Sequence, residues 1–501
     1  MKEARRSAIH CAVAAVAAGL ALVALDGTEG GALVSAFRAD RLPEASAPLA
    51  VTVLMAAGAA LSVLFASRMR AEAGPVAPIL WALAAAMTGP GVALALELTW
   101  QPGAVLGGYP RALHVMAMAA LMVTLAVRGA PRAPEPRLLA ALLAGAALTL
   151  IALALFVVLS KAALTVALAV LVLAAAVIDR RFDLALLMPV LQAGVAAIGY
   201  RLVIDPGLGW AVDEAGRGDV ALAHLGPMAL LAAAWGQLGA RGRAVTRGVV
   251  ESALWSAAAI LLSVALMRML GEPGAMGHAG LGLLATVWLS MALAQLWRLR
   301  GAGAALRALR CALAVVTGAV ALILLAAQAV LTNPLFPFMW RRETVLGPPL
   351  LDSLAAAYLP VALGLAVAAW RMDHLPGLLR RLSGVAASGY AAWYAALEIR
   401  RLWQGRDLSV PGVLEGELYS YTVALMAVSL GLLALALARR SETLRRVAMA
   451  GGALTVGKVF LIDMAGLAGL WRVAAFLGLG LSLAGLAWIN ARIIARMGRG
   501  G

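Results

Sequence analysis

"LLAALLAGAALTLIALALFVVLSKAALTVALAVLVLAAAVIDRR", residues 138–181, holds two apolar runs, 138–159 and 162–178, joined by a tight turn. A helix rises 1.5 Å per residue, so crossing about 30 Å of hydrocarbon takes roughly 20 mainly apolar residues. Both runs are close to that length. Hydrocarbon offers the backbone no water, so each must satisfy its own amides as a helix. Arg137 precedes the pair and Arg180 and Arg181 close it, which brings both basic ends to one side of a membrane hairpin.

The rest of the chain repeats this pattern. Of its 501 residues 63% are hydrophobic and only 13% charged, against roughly 45–50% and about 25% in soluble domains. Mean hydropathy is +0.92. The spacing predicts an all-α, polytopic transmembrane helix bundle of about sixteen spans. They centre on 8–25, 47–66, 75–96, 110–127, 138–159, 162–178, 184–202, 219–238, 249–270, 278–297, 308–331, 351–370, 381–399, 416–438, 446–462 and 471–491. The first fits either a signal peptide or a membrane anchor; "DGTEGG" follows it without a convincing A-x-A cleavage site and many further spans come after, which favours the anchor. The longest loops, around 26–46, 203–218 and 332–350, leave no room for a soluble domain, so chemistry is expected in or at the bilayer.

The formal charge of +16 does not point to nucleic acid, because the arginines come in twos and threes between apolar runs and form no patch. They report topology instead. With the N-terminus placed inside and the spans alternating, about 27 Lys and Arg fall on inner loops and about 13 on outer ones. The expectation is a bacterial inner-membrane protein with both termini cytoplasmic.

Motif chemistry is sparse. Cys11 and Cys311 are the two cysteines, too far apart in sequence for a CxxC site, and neither a disulfide framework nor a redox pair follows. The five histidines, His10, His114, His224, His278 and His374, show no HxxxH or HExxH spacing; they are read as interfacial or hydrogen-bonded side chains, with no metal expected. No Walker loop or GxSxG elbow is present, and no cofactor is implied. Polar groups inside spans are costly and turn inward: Glu97, Gln192, Glu251, Gln295, Gln328, Asp352, Glu398 and Lys458 are of this kind. Glu251 and Gln328 lie deep enough to need partners, and Lys458 either snorkels outward or meets a carboxylate from another span.

From about residue 330 the chain resembles the domain-of-unknown-function 2339 family of predicted bacterial membrane proteins. The resemblance rests on "LTNPLF" (331–336), "GPPLLDSLAAAYLPVAL" (347–363), "LEIRRLWQG" (397–405), "GELYSYTVAL" (416–425) and "GKVFLIDMAGLAGLWRVAAFLGLG" (457–480). It implies a membrane protein and supplies no reaction. It also suggests dividing the chain into 1–330, about eleven spans, and 331–501, about five spans with the family-like blocks.

On the expected topology these blocks place charges at the outer face, against the positive-inside trend. Glu398 can meet Arg401 at i, i+3, and Glu417 lies below Tyr421 at i, i+4. The candidate binding cluster is Arg341, Arg342, Glu398, Arg400, Arg401, Glu417, Tyr421, Asp463 and Arg472. Either these charges staple the outer loops together, or the arginines offer forks to an anionic lipid or glycan phosphate while a carboxylate does acid–base work. Lys458 and Asp463, at i and i+5, stand about 140° apart on an α-helix and are poor mutual partners.

The first functional expectation is therefore a transporter or flippase-like carrier of an anionic envelope substrate. An outward-facing glycosyl- or acyl-transferase comes second, in which Asp26, Glu29, Asp40 and Glu44 of the first outer loop could take part. An envelope scaffold without a substrate is third. Transport requires polar groups running through the bundle, whereas an enzyme needs them at one face. The bilayer is the one firm partner, and the sequence leaves oligomeric state open.

Overall fold

A computed structural model describes residues 47–463, apart from 72–75, 100–101, 134, 272–275 and 338–341, together with isolated positions from 473 to 488. The expected spans at 8–25 and 471–491 lie outside these residues. Every extended element among the described residues is a helix, and the one β contact is an isolated antiparallel bridge between Thr344 and Asp407.

Helices α1 (Ala47–Ala71), α2 (Ala77–Thr99), α3 (Gly108–Thr124), α4 (Pro136–Val158), α5 (Lys161–Phe182), α6 (Met188–Val203), α7 (Arg217–Gly239) and α8 (Ala244–Leu270) come first. Then follow α9 (His278–Trp297), α10 (Ala304–Leu331), α11 (Ser353–Arg371), α12 (Gly377–Gln404), α13 (Glu415–Arg439) and α14 (Glu442–Lys458). Twelve helical segments among the described residues are long and apolar enough to cross a membrane. They correspond to the expected runs from 47–66 through 351–370 and to 416–438.

The expected count of sixteen is not reached by this measure. The runs at 381–399 and 446–462 do form α12 and α14. In the 28-residue α12, however, Ser383, Gly384, Ser388, Gly389, Tyr390 and Tyr394 dilute the apolar content. The 17-residue α14 is short and carries Glu442, Arg445, Arg446 and Lys458.

The chain forms two compact units. The first runs to Met269 and takes in Ala294–Ala314; the second takes Leu270–Leu293 and continues from Val315. In the first unit α1 pairs with α2, α3 with α4, and α5 with α7. Lipid tails are as apolar as leucine, so helix association here rests on close packing. Gly89 shows how close: its amide donates to Ser62 Oγ at 3.1 Å, and a Cβ at that position would lie 2.6 Å from Met118 Sδ. Phe65, Trp81, Val115, Met122, Leu139 and Leu143 fill the surrounding core.

In the second unit α11 and α12 form one hairpin, α13 and α14 another, and α12 also packs on α13. A small core of Val345, Leu354, Ala357, Tyr358, Leu397 and Leu408 ties the 342–352 loop to α11, α12 and the turn after α12. Val345 N donates to Arg406 O at 2.9 Å beside the Thr344–Asp407 bridge, so the loops on either side of the α11–α12 hairpin are joined through their backbones.

Candidate functional site

Polar residues of the second unit converge where the start of α9, the end of α10, the start of α11, the end of α12, the start of α13 and the end of α14 come together. Helix ends leave backbone donors and carbonyls without partners, and these side chains meet that demand.

Arg400, near the end of α12, donates from Nε to Leu408 O at 2.7 Å and from Nη2 to Val410 O at 2.5 Å. Its Nη1 reaches Gly412 O at 3.3 Å and Glu417 Oε1 at 2.9 Å. One guanidinium therefore fastens the 405–412 turn to α13. Glu417 is fully buried, a position a carboxylate holds only when charged donors surround it. It accepts from Arg400, from Tyr421 Oη at 3.0 Å, from Gln404 Nε2 at 3.0 Å and from Leu414 N at 3.4 Å.

Arg401 turns the other way. It pairs with Asp352, lies 3.9 Å from Glu398 Oε1 and donates to Gly347 O at 2.6 Å and Pro348 O at 3.4 Å. Asp352 also caps α11 by accepting from Ala355 N at 2.8 Å. Glu398 accepts from Leu350 N at 3.4 Å through Oε2, while its buried Oε1 has no hydrogen-bond partner among the described residues. In the turn, Asp407 accepts from Ser409 N at 2.9 Å and Ser409 Oγ at 2.6 Å, and Arg342 lies 3.6 Å away. These Ser409 hydrogen bonds, with Arg342 adding its charge, hold the Asp407 carboxyl below its ordinary value despite partial burial.

A second constellation sits at the start of α11. His278, the first residue of α9, faces Glu343 Oε2 through Nδ1 at 3.1 Å and Ser353 Oγ through Nε2 at 2.8 Å. Glu343 Oε2 also accepts from His278 N at 3.2 Å, so the carboxylate fixes both the ring and the helix end. Gln328 Nε2 donates to His278 O at 3.0 Å and Ala357 O at 3.3 Å, which locks α9, α10 and α11 together beneath it. Ser353 Oγ accepts from Leu346 N at 3.1 Å. Hydroxyl, imidazole and carboxylate in this order can withdraw a proton from the serine and stabilise the resulting imidazolium. Around the hydroxyl, Leu346, Leu350 and Leu351 are 62%, 64% and 81% exposed, an apolar rim suited to the membrane interface.

Thus Arg342, Glu398, Arg400, Arg401, Glu417 and Tyr421 do gather at one end of the unit, but their charged groups are largely engaged by one another and by carbonyls. Arg341, Arg472 and the Asp463 side chain lie outside the described residues. Lys458 is engaged by the neighbouring helix: Nζ donates to Leu418 O at 3.0 Å and Thr422 Oγ1 at 2.6 Å. Val459–Asp463 is a π-turn, so the 140° separation expected of Lys458 and Asp463 on an α-helix does not apply. Glu251, in the first unit, pairs with Arg298 at 3.6 Å and Arg310 at 3.3 Å.

Sequence reasoning missed His278, Glu343 and Ser353 as a group. They are 65 and 75 residues apart, and no local spacing links them. The only signals were the excess charge around Glu343 and the place of Ser353 within "GPPLLDS".

One family model, described as predicted membrane protein (DUF2339), matches residues 5–493. The match extends far upstream of the blocks that carry the resemblance. No curated protein and no solved structure matches the chain.

Proposed function

Since the chain belongs to this family of predicted membrane proteins, whose description names no reaction, we propose a function from the geometry: acyl transfer at the bilayer surface. Ser353 is the nucleophile, His278 the general base and Glu343 the residue that orients it. The observation that carries this reading is the 2.8 Å contact from His278 Nε2 to Ser353 Oγ, continued at 3.1 Å to Glu343.

In the first half-reaction Ser353 Oγ bonds to the ester carbonyl carbon and its proton passes to His278 Nε2. The bond from the carbonyl carbon to the donor's alkoxy oxygen then breaks, and His278 returns the proton to the departing alcohol. In the second half, His278 takes a proton from an acceptor hydroxyl, whose oxygen bonds to the acyl carbon as the bond to Ser353 Oγ breaks, and His278 returns the proton to Ser353 Oγ. The leucine rim favours a lipid donor. Arg342, 71% exposed, supports one bearing an anionic headgroup. On the positive-inside reading, this end of the second unit faces outward from the bacterial inner membrane.

The sequence alone favoured a carrier. That reading needs polar groups continuing through the helices, but Glu251, Gln328 and Lys458 are each engaged by neighbouring side chains or carbonyls. Support shifts to an enzyme with its polar groups at one face.

The test is labelling of the purified protein in nanodiscs with a fluorophosphonate probe, which reacts only with an activated serine. Wild type is expected to label at Ser353, with labelling lost in Ser353→Ala and reduced at least a hundredfold in His278→Asn. Absence of labelling in folded wild-type protein, or equal labelling of Ser353→Ala, would overturn the proposal.

A further inference from the structure

A separate cluster in the first unit has more positive charge than its partners neutralise. Glu251 sits between two guanidiniums, with Arg298 Nε at 3.6 Å and Arg310 Nη2 at 3.3 Å. Arg310 is only 7% exposed and also donates to Arg298 O. On the face of α8 that carries Glu251, Arg247 and Trp255 lie one turn to either side, at i−4 and i+4. Arg247 stacks over Trp235 at 3.8 Å and Arg298 over Trp255 at 4.8 Å. One carboxylate thus serves two arginines, with a third one turn away on its helix.

The hydrogen bonds tell the same story as the charges. Arg247 Nε, Arg298 Nη1 and Arg310 Nε are buried and find no acceptor among the described residues. A buried donor left unmade costs about 1–3 kcal/mol, and more when charged, so two beside Glu251 and a third one turn along α8 indicate a missing acceptor. Burial and the nearby Arg310 charge pull the Arg298 guanidinium below its ordinary value, against the opposing effect of Glu251.

The location narrows the ligand. Arg247 lies in the first two turns of α8 and Glu251 at the start of its third, Arg310 in the second turn of α10, and Arg298 directly after the last residue of α9. This is the level of lipid headgroups. Trp297, 42% exposed, ends α9 beside Arg298, and Trp255, 50% exposed, lies one turn beyond Glu251 on α8. Basic pockets among helix ends are where lipid phosphates bind.

We infer that Arg247, Arg298 and Arg310 receive the phosphate of an anionic phospholipid, with Trp255 against its glycerol region and Glu251 as the internal anion it competes with. The site is independent of Ser353 and would hold a structural lipid.

Native mass spectrometry of the delipidated full chain, titrated separately with phosphatidylglycerol, phosphatidylcholine and inorganic phosphate, tests this. Phosphatidylglycerol is expected to bind in preference to phosphatidylcholine. Arg298→Gln should weaken it about tenfold, the worth of one charge-assisted hydrogen bond, while Glu251→Gln should strengthen it several-fold. The opposite signs separate binding from loss of fold, and Glu251→Gln alone carries the test if Arg298→Gln does not fold. Equal binding of phosphatidylcholine, or weakening by Glu251→Gln, would overturn the site. Saturation and displacement of phosphatidylglycerol by inorganic phosphate would overturn its assignment to a lipid.

Discussion

Arg400 and Glu417, 17 residues apart and on different helices, share a charged hydrogen bond of 2.9 Å in which the carboxylate is fully buried. Removing one partner of such a pair leaves a charge without compensation, at a cost of about 3–5 kcal/mol. Arg400→Ala should therefore destabilise the second unit by that order, and Arg400→Met with Glu417→Leu should recover most of the loss. Thermal unfolding in detergent, arranged as a double-mutant cycle, gives the coupling energy. Additive losses would mean the pair is not a unit.

Much of this end of the protein was legible in the sequence. Arg400 and Arg401 stood out because they break the positive-inside trend, Glu417 and Tyr421 because they open a family-like block, and the Tyr421–Glu417 and Glu398–Arg401 spacings hold as contacts because helix geometry is local. Which arginine takes which carboxylate was not legible. That choice depends on the paths of the 342–352 and 405–412 loops, whose backbone carbonyls complete both guanidinium shells. His278, Glu343 and Ser353 are joined only by tertiary packing, so no periodicity could mark them. Helix positions followed from apolar run length, whereas the π-turns at Leu125–Gly129 and Val459–Asp463 left no compositional trace.

Acid should loosen the 405–412 turn through Asp407. Its carboxyl is held below the ordinary 3.8 mainly by Ser409. A folded-state value depressed below the unfolded one contributes stability above the unfolded pKa, and that contribution is lost as pH falls through the folded value. Amide exchange in 405–412 is expected to rise below about pH 4 in wild type. In Asp407→Asn it should already be faster at pH 7 and lack this acid dependence.

Glu343→Gln separates orientation from folding. The amide can still accept from His278 N, so the helix end is kept, but its charge no longer stabilises an imidazolium. Turnover of an acyl ester substrate should fall about 10²–10⁴-fold with KM little changed and the unfolding midpoint nearly constant. A KM effect without a kcat effect would assign Glu343 to binding instead.

The direction of this face can be read by labelling. Val413 lies in the turn between α12 and α13 and is 57% exposed. In a variant lacking Cys11 and Cys311, Val413→Cys should react with an impermeant maleimide added to intact cells. Reaction only after the membrane is permeabilised would reverse the assigned orientation and place the serine on the cytoplasmic side.

Gly282 sets the distance between the helices that carry His278 and Ser353. It lies one turn below His278 on α9, and a Cβ there would come within 2.4 Å of Ala357 O, 2.6 Å of Gln328 Nε2 and 2.7 Å of Ala357 Cα. Gln328 is a side chain that can move; the α11 backbone is not, because Ala357 is fully buried in a packed core. Gly282→Ala must therefore push α9 and α11 apart, at about 1–3 kcal/mol for an overpacked contact. The displacement falls on the 2.8 Å contact between His278 and Ser353, and a misplacement of about 1 Å at a reacting pair costs on the order of 10²-fold in rate. Fluorophosphonate labelling of Gly282→Ala should slow by that order in protein that still unfolds cooperatively. Gly218→Ala serves as the control, since nothing lies within 4 Å of a Cβ at that position. Normal labelling of a destabilised Gly282→Ala would show that the α9–α11 spacing supports the fold without governing the serine.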